Sequence, residues 1–352
     1  MFNATLKRIR VQRFRNLRDV DVDFRSGANW IVGANAAGKT ALLESIYCLS
    51  RGRSFRGRRF GSLIERGETS ARIDGWLEAS LGDARISWAS ARGEVTRDPA
   101  QGAETKLPVR LICEWTHALV EGEPSLRRRF IDWNLMLWDR SAGGLFSRFR
   151  RVASQRNAWL RSGARGQAVW DEPYAVALSE ISRLRARFFE AFAEGFRALN
   201  AEEDWFRGIE ACWDGVIAGQ DELVSRLAEM RPADQERGFT YLGISRDDFS
   251  LRLDGNKWVG SRGQSKVLGC VLQLAAEQLV SGENGVGALW LVDDLDAELA
   301  PEWSQRVVGL LRRKGSQMFY TALPGKGLLA SCRTADDAVF HVEHGDLLRA
   351  AG

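Results

Sequence analysis

Residues 28–43 read ANWIVGANAAGKTALL, and the order of elements in this stretch decides the fold. Asn29 to Val32 is a short apolar run of strand character. Gly33-Ala34-Asn35-Ala36-Ala37-Gly38-Lys39-Thr40 then fits G-x-x-x-x-G-K-[ST], and Leu42, Leu43, Ile46, Tyr47 and Leu49 recur at helical spacing. A strand running through a glycine-rich turn into a helix is the context this pattern requires. Small residues let backbone N–H groups converge at a helix N-terminus, where the helix dipole also favours an anion. In such a turn Lys39 bridges the β and γ phosphates of a nucleotide and Thr40 places a hydroxyl on Mg²⁺. ATP and Mg²⁺ are therefore the expected cofactors, with Gly33 to Thr40 as the binding residues.

Far downstream, Ala288 to Val292 is a second apolar strand, and it ends in Asp293 and Asp294. Paired acids after a buried strand can simply begin a solvated loop. Combined with the upstream turn they read as a Walker B element, in which Asp293 joins Thr40 in the Mg²⁺ shell and Asp294 orients or deprotonates the attacking water.

Working outward, Val20, Val22 and Phe24 alternate with Asp21 and Asp23 at strand period, and Arg72–Ala79 and Ala84–Ala89 flank Gly82-Asp83 as a hairpin. From about Pro124 the period changes. Leu178, Ile181, Leu184, Phe188, Phe192, Phe196 and Leu199 line one long amphipathic helix, and Phe146, Phe149, Val152, Trp159 and Leu160 mark a partner joined to it through the breaker-rich Ser162 to Pro173. The aromatic stripe is read as packing between the helices of an antiparallel arm. Beyond Gly238 come a strand at Ser250–Leu253, a helix at Gln264–Val280, and strands at Gln317–Thr321 and Ala338–Val342. The expectation is an α/β P-loop ATPase head with an inserted α-helical, short coiled-coil-like lobe. Residues 1–123 and 239–352 form the head and 124–238 the lobe.

A hydrophobic content of 45% is ample for a core, and 50 basic against 46 acidic residues leave a net charge of only +4. Distribution says more, since only seven of the basic residues are Lys. The arginines cluster at Arg51, Arg53, Arg56, Arg58 and Arg59, at Arg127, Arg128 and Arg129, and at Arg148, Arg150, Arg151 and Arg156. Guanidinium forks suit phosphates, although such clusters also form solvated helix faces. The five cysteines are dispersed without C-x-x-C or zinc spacing, residues 1–20 lack the apolar run of a signal peptide, and Val267–Ala276 is about half a membrane span. These features predict a reduced, cytoplasmic chain with no membrane segment. His341 and His344 read as surface residues around the Gly345 turn, and His117 as a residue near the nucleotide pocket or a bystander.

An early P-loop and a late Walker B, split by a helical insertion, resemble the layout of the ABC ATPases that include SMC proteins and the RecF family. The likeness to the RecF family continues in Phe14-Arg15-Asn16-Leu17, Leu43-Glu44-Ser45-Ile46-Tyr47, Gly52-Arg53-Ser54-Phe55-Arg56, Pro124–Asp132, Gln155–Ala158, Arg246-Asp247-Asp248 and Gly260–Gln264, in the family's order and over essentially the full chain. The resemblance implies an ABC-type head in which Ser261, Gly263 and Gln264 form the signature that meets the γ-phosphate held by a second subunit. ATP would then join two copies into a homodimer. Read from the residues alone, Ser261 or Gly263 equally opens an ordinary capped helix. Thr321 occupies the family's switch position, where it would bond the γ-phosphate or the attacking water.

The resemblance further implies a recombination mediator of DNA repair, replication and the SOS response to DNA damage. Such a protein acts at gapped duplexes and single-strand/double-strand junctions, with RecR and, indirectly, RecO, to load RecA, using weak DNA-stimulated ATP hydrolysis as a switch. The expected DNA surfaces are Arg51, Arg53, Arg56, Arg58 and Arg59 first, then Arg127, Arg128 and Arg129. This chain departs from the family pattern at Cys113–His117 (usually Pro-Glu-Asp-Leu), at Ser245 (usually His) and at Ala300 (usually Asp). Two other readings stay open at this point: a DNA-binding mediator that binds ATP with little hydrolysis, and a partner-coupled ABC ATPase that does not act on DNA.

Overall fold

The computed structural model describes residues 5–57, 60–78, 82–91, 94–98, 107–163, 168–203, 206–215, 218–284, 287–297, 299–313, 315–325 and 327–349. The chain begins with strands β1 (Thr5–Phe14), β2 (Leu17–Asp23) and β3 (Ala28–Val32), helix α1 (Lys39–Arg51), and strands β4 (Ser70–Glu78), β5 (Ala84–Ala91), β6 (Glu94–Asp98) and β7 (Val109–Ile112). It continues with helices α2 (Ala118–Glu121), α3 (Pro124–Trp138), α4 (Ala142–Arg161) and α5 (Asp171–Glu203), strand β8 (Ile209–Asp214), helix α6 (Gln220–Arg237) and strands β9 (Asp248–Leu253) and β10 (Asn256–Lys257). The last elements are α7 (Arg262–Asn284), β11 (Leu289–Val292), α8 (Pro301–Arg313), β12 (Met318–Ala322), α9 (Gly327–Cys332), β13 (Ala338–Glu343) and β14 (Asp346–Arg349).

Two compact units result. The first comprises residues 1–117, 261–277 and 284–352, and the second residues 118–260 and 278–283. In the first, a six-stranded sheet runs β14-β13-β3-β12-β11-β7, with β13, β3, β12, β11 and β7 mutually parallel. These strands are short and apolar because both faces are covered; β3, β11 and β12 are buried at every position. A five-stranded antiparallel sheet, β2-β1-β4-β5-β6, lies across a shared core from it, and α1 contributes Leu42, Leu43, Ile46 and Leu49 to that core. Such sheets place their ligand sites at the carboxyl ends of the parallel strands.

The strand that feeds the P-loop is tied down by a buried carboxylate. Asp337, just before β13, accepts the Trp30 indole N–H at 2.8 Å, Nη1 and Nη2 of Arg312 from α8, and the Thr334 backbone N–H and hydroxyl. Trp30 itself stacks on Tyr320 with ring centroids 4.5 Å apart. Burial works against the Asp337 charge, but the Arg312, Trp30 and Thr334 donors outweigh it and hold the carboxyl down at about 2.

In the second unit, the long helix and its partner exist as read from the aromatic spacing. Helices α4 and α5 run antiparallel, Phe146 facing Arg185 near one end and Arg156 facing Asp171 near the other. The core joins Phe189 and Phe192 of α5 to Phe130 of α3 and Phe249 of β9, and Phe188 packs on Trp138 of α3. Two features differ from the sequence expectation. The lobe is not purely helical, since β10-β9-β8 form a small antiparallel sheet, and residues 239–260 belong with it rather than with the head. The physical reason is pairing: β9 hydrogen-bonds β8 along its whole length, from Asp214↔Asp248 to Ile209↔Leu253. Residues 118–123 likewise group with this unit.

The Asp337 interaction gives a pH-dependent expectation. Its folded pKa lies below the unfolded value of about 3.9, so its stabilisation is fully present above about pH 4 and is lost as pH falls toward about 2. Asp337→Asn should lower stability by about 2 kcal/mol at pH 7, and urea unfolding of the two proteins should show the gap narrowing once the pH falls below about 4.

Candidate nucleotide site

The carboxyl ends of β3, β11 and β12 converge where the glycine-rich turn opens α1. Ala34, Asn35 and Ala36 are exposed, so the turn presents backbone to solvent. Gly38 has φ 124° and Ala36 φ 64°, left-handed conformations that reverse the chain within a few residues. Lys39 reaches back over the turn and donates to the carbonyls of Gly33 and Ala34, each at 2.9 Å. Burial pulls its ammonium below the usual lysine value, and the nearby Asp294 and Asp293 charges pull it back up.

The sequence-predicted acids stand opposite. Thr40 donates its hydroxyl to Asp293 Oδ1 at 3.1 Å, and Thr321 at the end of β12 donates to the same oxygen at 2.9 Å. The Thr321 hydroxyl in turn accepts the Asp294 backbone N–H at 2.9 Å. Thr321 thus clasps the Walker B turn, and its single proton is committed to Asp293. Burial pushes the Asp293 carboxyl above the ordinary value and Asp294 adds to this, while the Thr321 and Thr40 hydroxyls and the Arg56 charge oppose it. Asp294 is exposed, with φ 51°.

A buried carboxylate beside a threonine hydroxyl suits a hard divalent cation that takes its remaining oxygens from phosphates and water. Among the described residues no cluster of three or more His, Cys, Asp or Glu could hold a metal ion. The donor set of Thr40 and Asp293 fits Mg²⁺.

Several residues that support the turn carried no individual role in the sequence reading. The Asn16 amide donates to Ala36 O at 3.0 Å, and Gly345 N donates to Ala37 O at 3.1 Å. Gly345 has φ 88°, and a Cβ there would stand 1.9 Å from Asn16 O. A Cβ on Gly33 would meet Val342 O at 2.4 Å. Glu44, fully buried on α1, accepts two guanidinium bonds from Arg15 at 2.9 and 2.8 Å and a short bond from the Ser54 hydroxyl. It binds together three of the blocks that carry the family resemblance, and Ser54 in turn accepts the Arg56 backbone N–H.

Residues of the expected signature cap a helix. Ser261 N donates to Gln264 Oε1 at 2.8 Å and Gln264 N to Ser261 Oγ at 3.2 Å, a reciprocal capping box at the exposed start of α7. Gly263 lies in its first turn. Farther along α7, a Cβ on Gly269 would meet Thr116 O at 2.4 Å, and Thr116 is bonded both ways to Cys113, directly after β7. His117 turns its Nδ1 onto Glu114 O at 2.6 Å within its own loop, and His341 and His344 are exposed.

The arginine clusters separate. Arg53 and Arg56 are exposed, and Arg56 lies within electrostatic reach of Asp293. Arg51 is instead partly buried over the Tyr47 ring at 5.8 Å, with burial drawing it down to about 9, still cationic at neutral pH. Arg58 and Arg59 lie outside the described residues. The 127–129 run does not form an outward patch. Arg127 is buried in a two-pronged pair with Asp248 at 2.7 and 2.8 Å, Arg128 donates to Asp247 O, and Arg129, which stays exposed, donates to Ser125 O.

Sheet, turn and clasp together define an ABC-type ATPase head. A family model described as the RecF/RecN/SMC N terminal domain matches residues 5–105. A solved structure of the recombination mediator protein RecF with ATP superposes with a TM-score of 0.83 at 23% identity, covering 99% of this chain and 98% of that one. The Smc head domain from Pyrococcus furiosus superposes with a TM-score of 0.57 at 14% identity, covering 99% and 96%. The chain belongs to the RecF family. It is 33% identical to the DNA replication and repair protein RecF of Pseudomonas paraeruginosa, over 97% of this chain and 96% of that protein. It is 32% identical to the RecF of Pseudomonas entomophila, over 97% of each.

The Asn16 bond holds the turn rather than the fold. Asn16→Ala should weaken nucleotide binding by up to about fivefold, the worth of one hydrogen bond of about 1 kcal/mol, with the melting temperature little changed; titration with a fluorescent ATP analogue checks this.

Proposed function

We propose that this chain is an ATP-gated DNA-binding mediator of recombinational repair, with ATP and Mg²⁺ seated at Gly33–Thr40, Asp293 and Asp294. The observation that carries the reading is the clasp in which Thr40 and Thr321 converge on one oxygen of Asp293 beside the P-loop. Lys39 would leave its two carbonyl partners to neutralise the phosphates, the N–H groups of the exposed turn would hold the phosphate oxygens, and Thr40 and Asp293 would hold Mg²⁺, which when bound would supply the remaining charge neutralisation. Thr321 keeps Asp294 aimed by holding its backbone N–H, so that the Asp294 carboxylate orients or deprotonates the attacking water.

The capped start of α7 offers the Ser261 hydroxyl and first-turn N–H groups to the γ-phosphate of a second copy, so ATP closes a homodimer. Membership of the RecF family supports cytoplasmic action at gapped duplexes and single-strand/double-strand junctions with RecR, RecO and RecA, and no helix among the described residues is long and apolar enough to cross a membrane. Arg53 and Arg56 are the DNA contacts favoured near the nucleotide, which would tie duplex binding to the state of the phosphates.

Slow turnover is the companion reading, and Ala300 favours it. Its carbonyl receives the Trp303 and Ser304 N–H groups at the start of α8, yet its side chain supplies no carboxylate where the family pattern has one.

Fluorescence anisotropy of a labelled gapped duplex tests the proposal. Binding should tighten with ATP and Mg²⁺ in the parent and lose that gain in Lys39→Ala; binding indifferent to ATP in both would sink the gating. Phosphate release should fall about a hundredfold or more in Asp294→Asn, and equal release from variant and parent would remove Asp294 from the chemistry.

A further inference from the structure

We propose that the exposed face of α4 in the inserted unit is a second duplex-DNA contact, which grips the phosphate backbone without reading sequence. The inference rests on the DNA-binding reading above but concerns a different surface. Between Asp139 and Asp171 the chain carries seven arginines and no acidic residue. Helix α4 occupies most of this segment, about 30 Å at 1.5 Å per residue. One side of it is buried through Phe146, Phe149, Arg156 and Leu160. The other exposes Ser147, Arg150, Arg151, Ser154, Gln155 and Arg161, a row of cations and short hydrogen-bond donors.

The arginines differ in what holds them. Arg156 is wholly buried, bonded to Asp171, Asp234 and Thr240. Arg148 pairs with Glu180 on α5, and Arg161 donates to the Gly238 carbonyl. Arg150 and Arg151, at the centre of the exposed row, make no ion pair with the described residues, and α4 itself offers them no carboxylate. Two adjacent uncompensated guanidinium groups on a solvated helix repel each other, a cost that a polyanion removes and solvent only screens.

The chemistry of the face selects the partner. It exposes no large apolar or aromatic side chain, whereas protein interfaces are anchored by such residues at their centres. The same lack argues against insertion into a lipid surface. Guanidinium forks flanked by serines and a glutamine match phosphate oxygens and sugar edges, and they hold no set of paired groups positioned to read base edges.

The test is a salt titration of gapped-duplex binding by the full-length protein with ATP and Mg²⁺, comparing the parent with Arg150→Ala/Arg151→Ala and Arg150→Lys/Arg151→Lys. The alanine pair should bind about tenfold more weakly at physiological salt, with the slope of log K against log salt shallower by about two, and the lysine pair should keep the parent slope. ATP-analogue affinity and thermal melting should match the parent in both variants, because these side chains are exposed. An alanine pair with parental affinity and slope overturns the proposal, and loss of an acidic partner protein with DNA binding intact would assign the face to protein contact instead. If the parent itself binds no duplex, the broader DNA reading fails along with this one, whereas an unaffected alanine pair removes only the α4 contact.

Discussion

A carbonyl at the end of β13 sets the limits of the site. With Val342 O only 2.4 Å from where a Cβ of residue 33 would sit, the first position of the phosphate turn admits no side chain, and the strand behind it fixes the height of the turn above the sheet. Gly345 repeats the constraint two residues beyond the strand, donating to Ala37 O while its α-carbon passes close to Asn16 O. The turn is therefore held from behind by the last hairpin of the chain and from the side by its first. An anion-binding loop of small residues would otherwise lose much conformational freedom on binding its ligand; here part of that ordering is already built into folding.

The same logic runs through Glu44. It is fully buried, and its two oxygens receive Arg15 and Ser54, so the left-handed Arg15 turn, helix α1 and the Arg53–Arg56 loop are fixed relative to one another by one carboxylate. Removing one partner of such a buried pair leaves an uncompensated charge, which is far more destabilising than replacing the pair as a whole. Arg56 thereby keeps its place within reach of Asp293 although its own side chain is exposed. On the far side of the site, Gly269 lets α7 come against Thr116, whose bonds to Cys113 continue into β7, and β7 is the neighbour of β11 in the sheet. The helix that opens with Ser261 and the strand that ends at Asp293 are thus parts of one packed body.

How legible this was depended on whether the determinants were contiguous. The P-loop lies in eight consecutive residues between a strand and a helix, so its local structure could be read directly. The Thr40–Asp293–Thr321 clasp could be named only as parts, because it is assembled from the ends of three elements, Thr40 lying 253 residues before Asp293 and Thr321 another 28 beyond it. Strand β1 escaped notice because its pairing with β4 shifts register between Leu6 and Arg8, which breaks the period-two alternation. The lobe boundary was missed because β9 finds its partner in β8, beyond α6, where local pattern carries no information. Arg127 looked like a member of a basic patch because a run of three arginines does not reveal which one faces inward; its partner, Asp248, is 121 residues away.

Net charge fails as a guide here for a related reason. Along the antiparallel sheet of the head, Lys7 faces Glu78, Arg8 faces Asp21, Arg10 faces Asp19, and Arg72 and Arg85 share Asp74. Such pairs contribute little stability individually, but they cancel the field that their cations would project. The buried arginines of the lobe are neutralised in the same way by Asp171, Asp234, Asp132 and Asp247. Once these matched charges are set aside, the positive potential left to attract a phosphate backbone comes from the arginines without a carboxylate beside them. A total of +4 therefore understates what the chain can offer a polyanion, because the long-range field depends on where compensation is absent and not on how many cations the sequence contains.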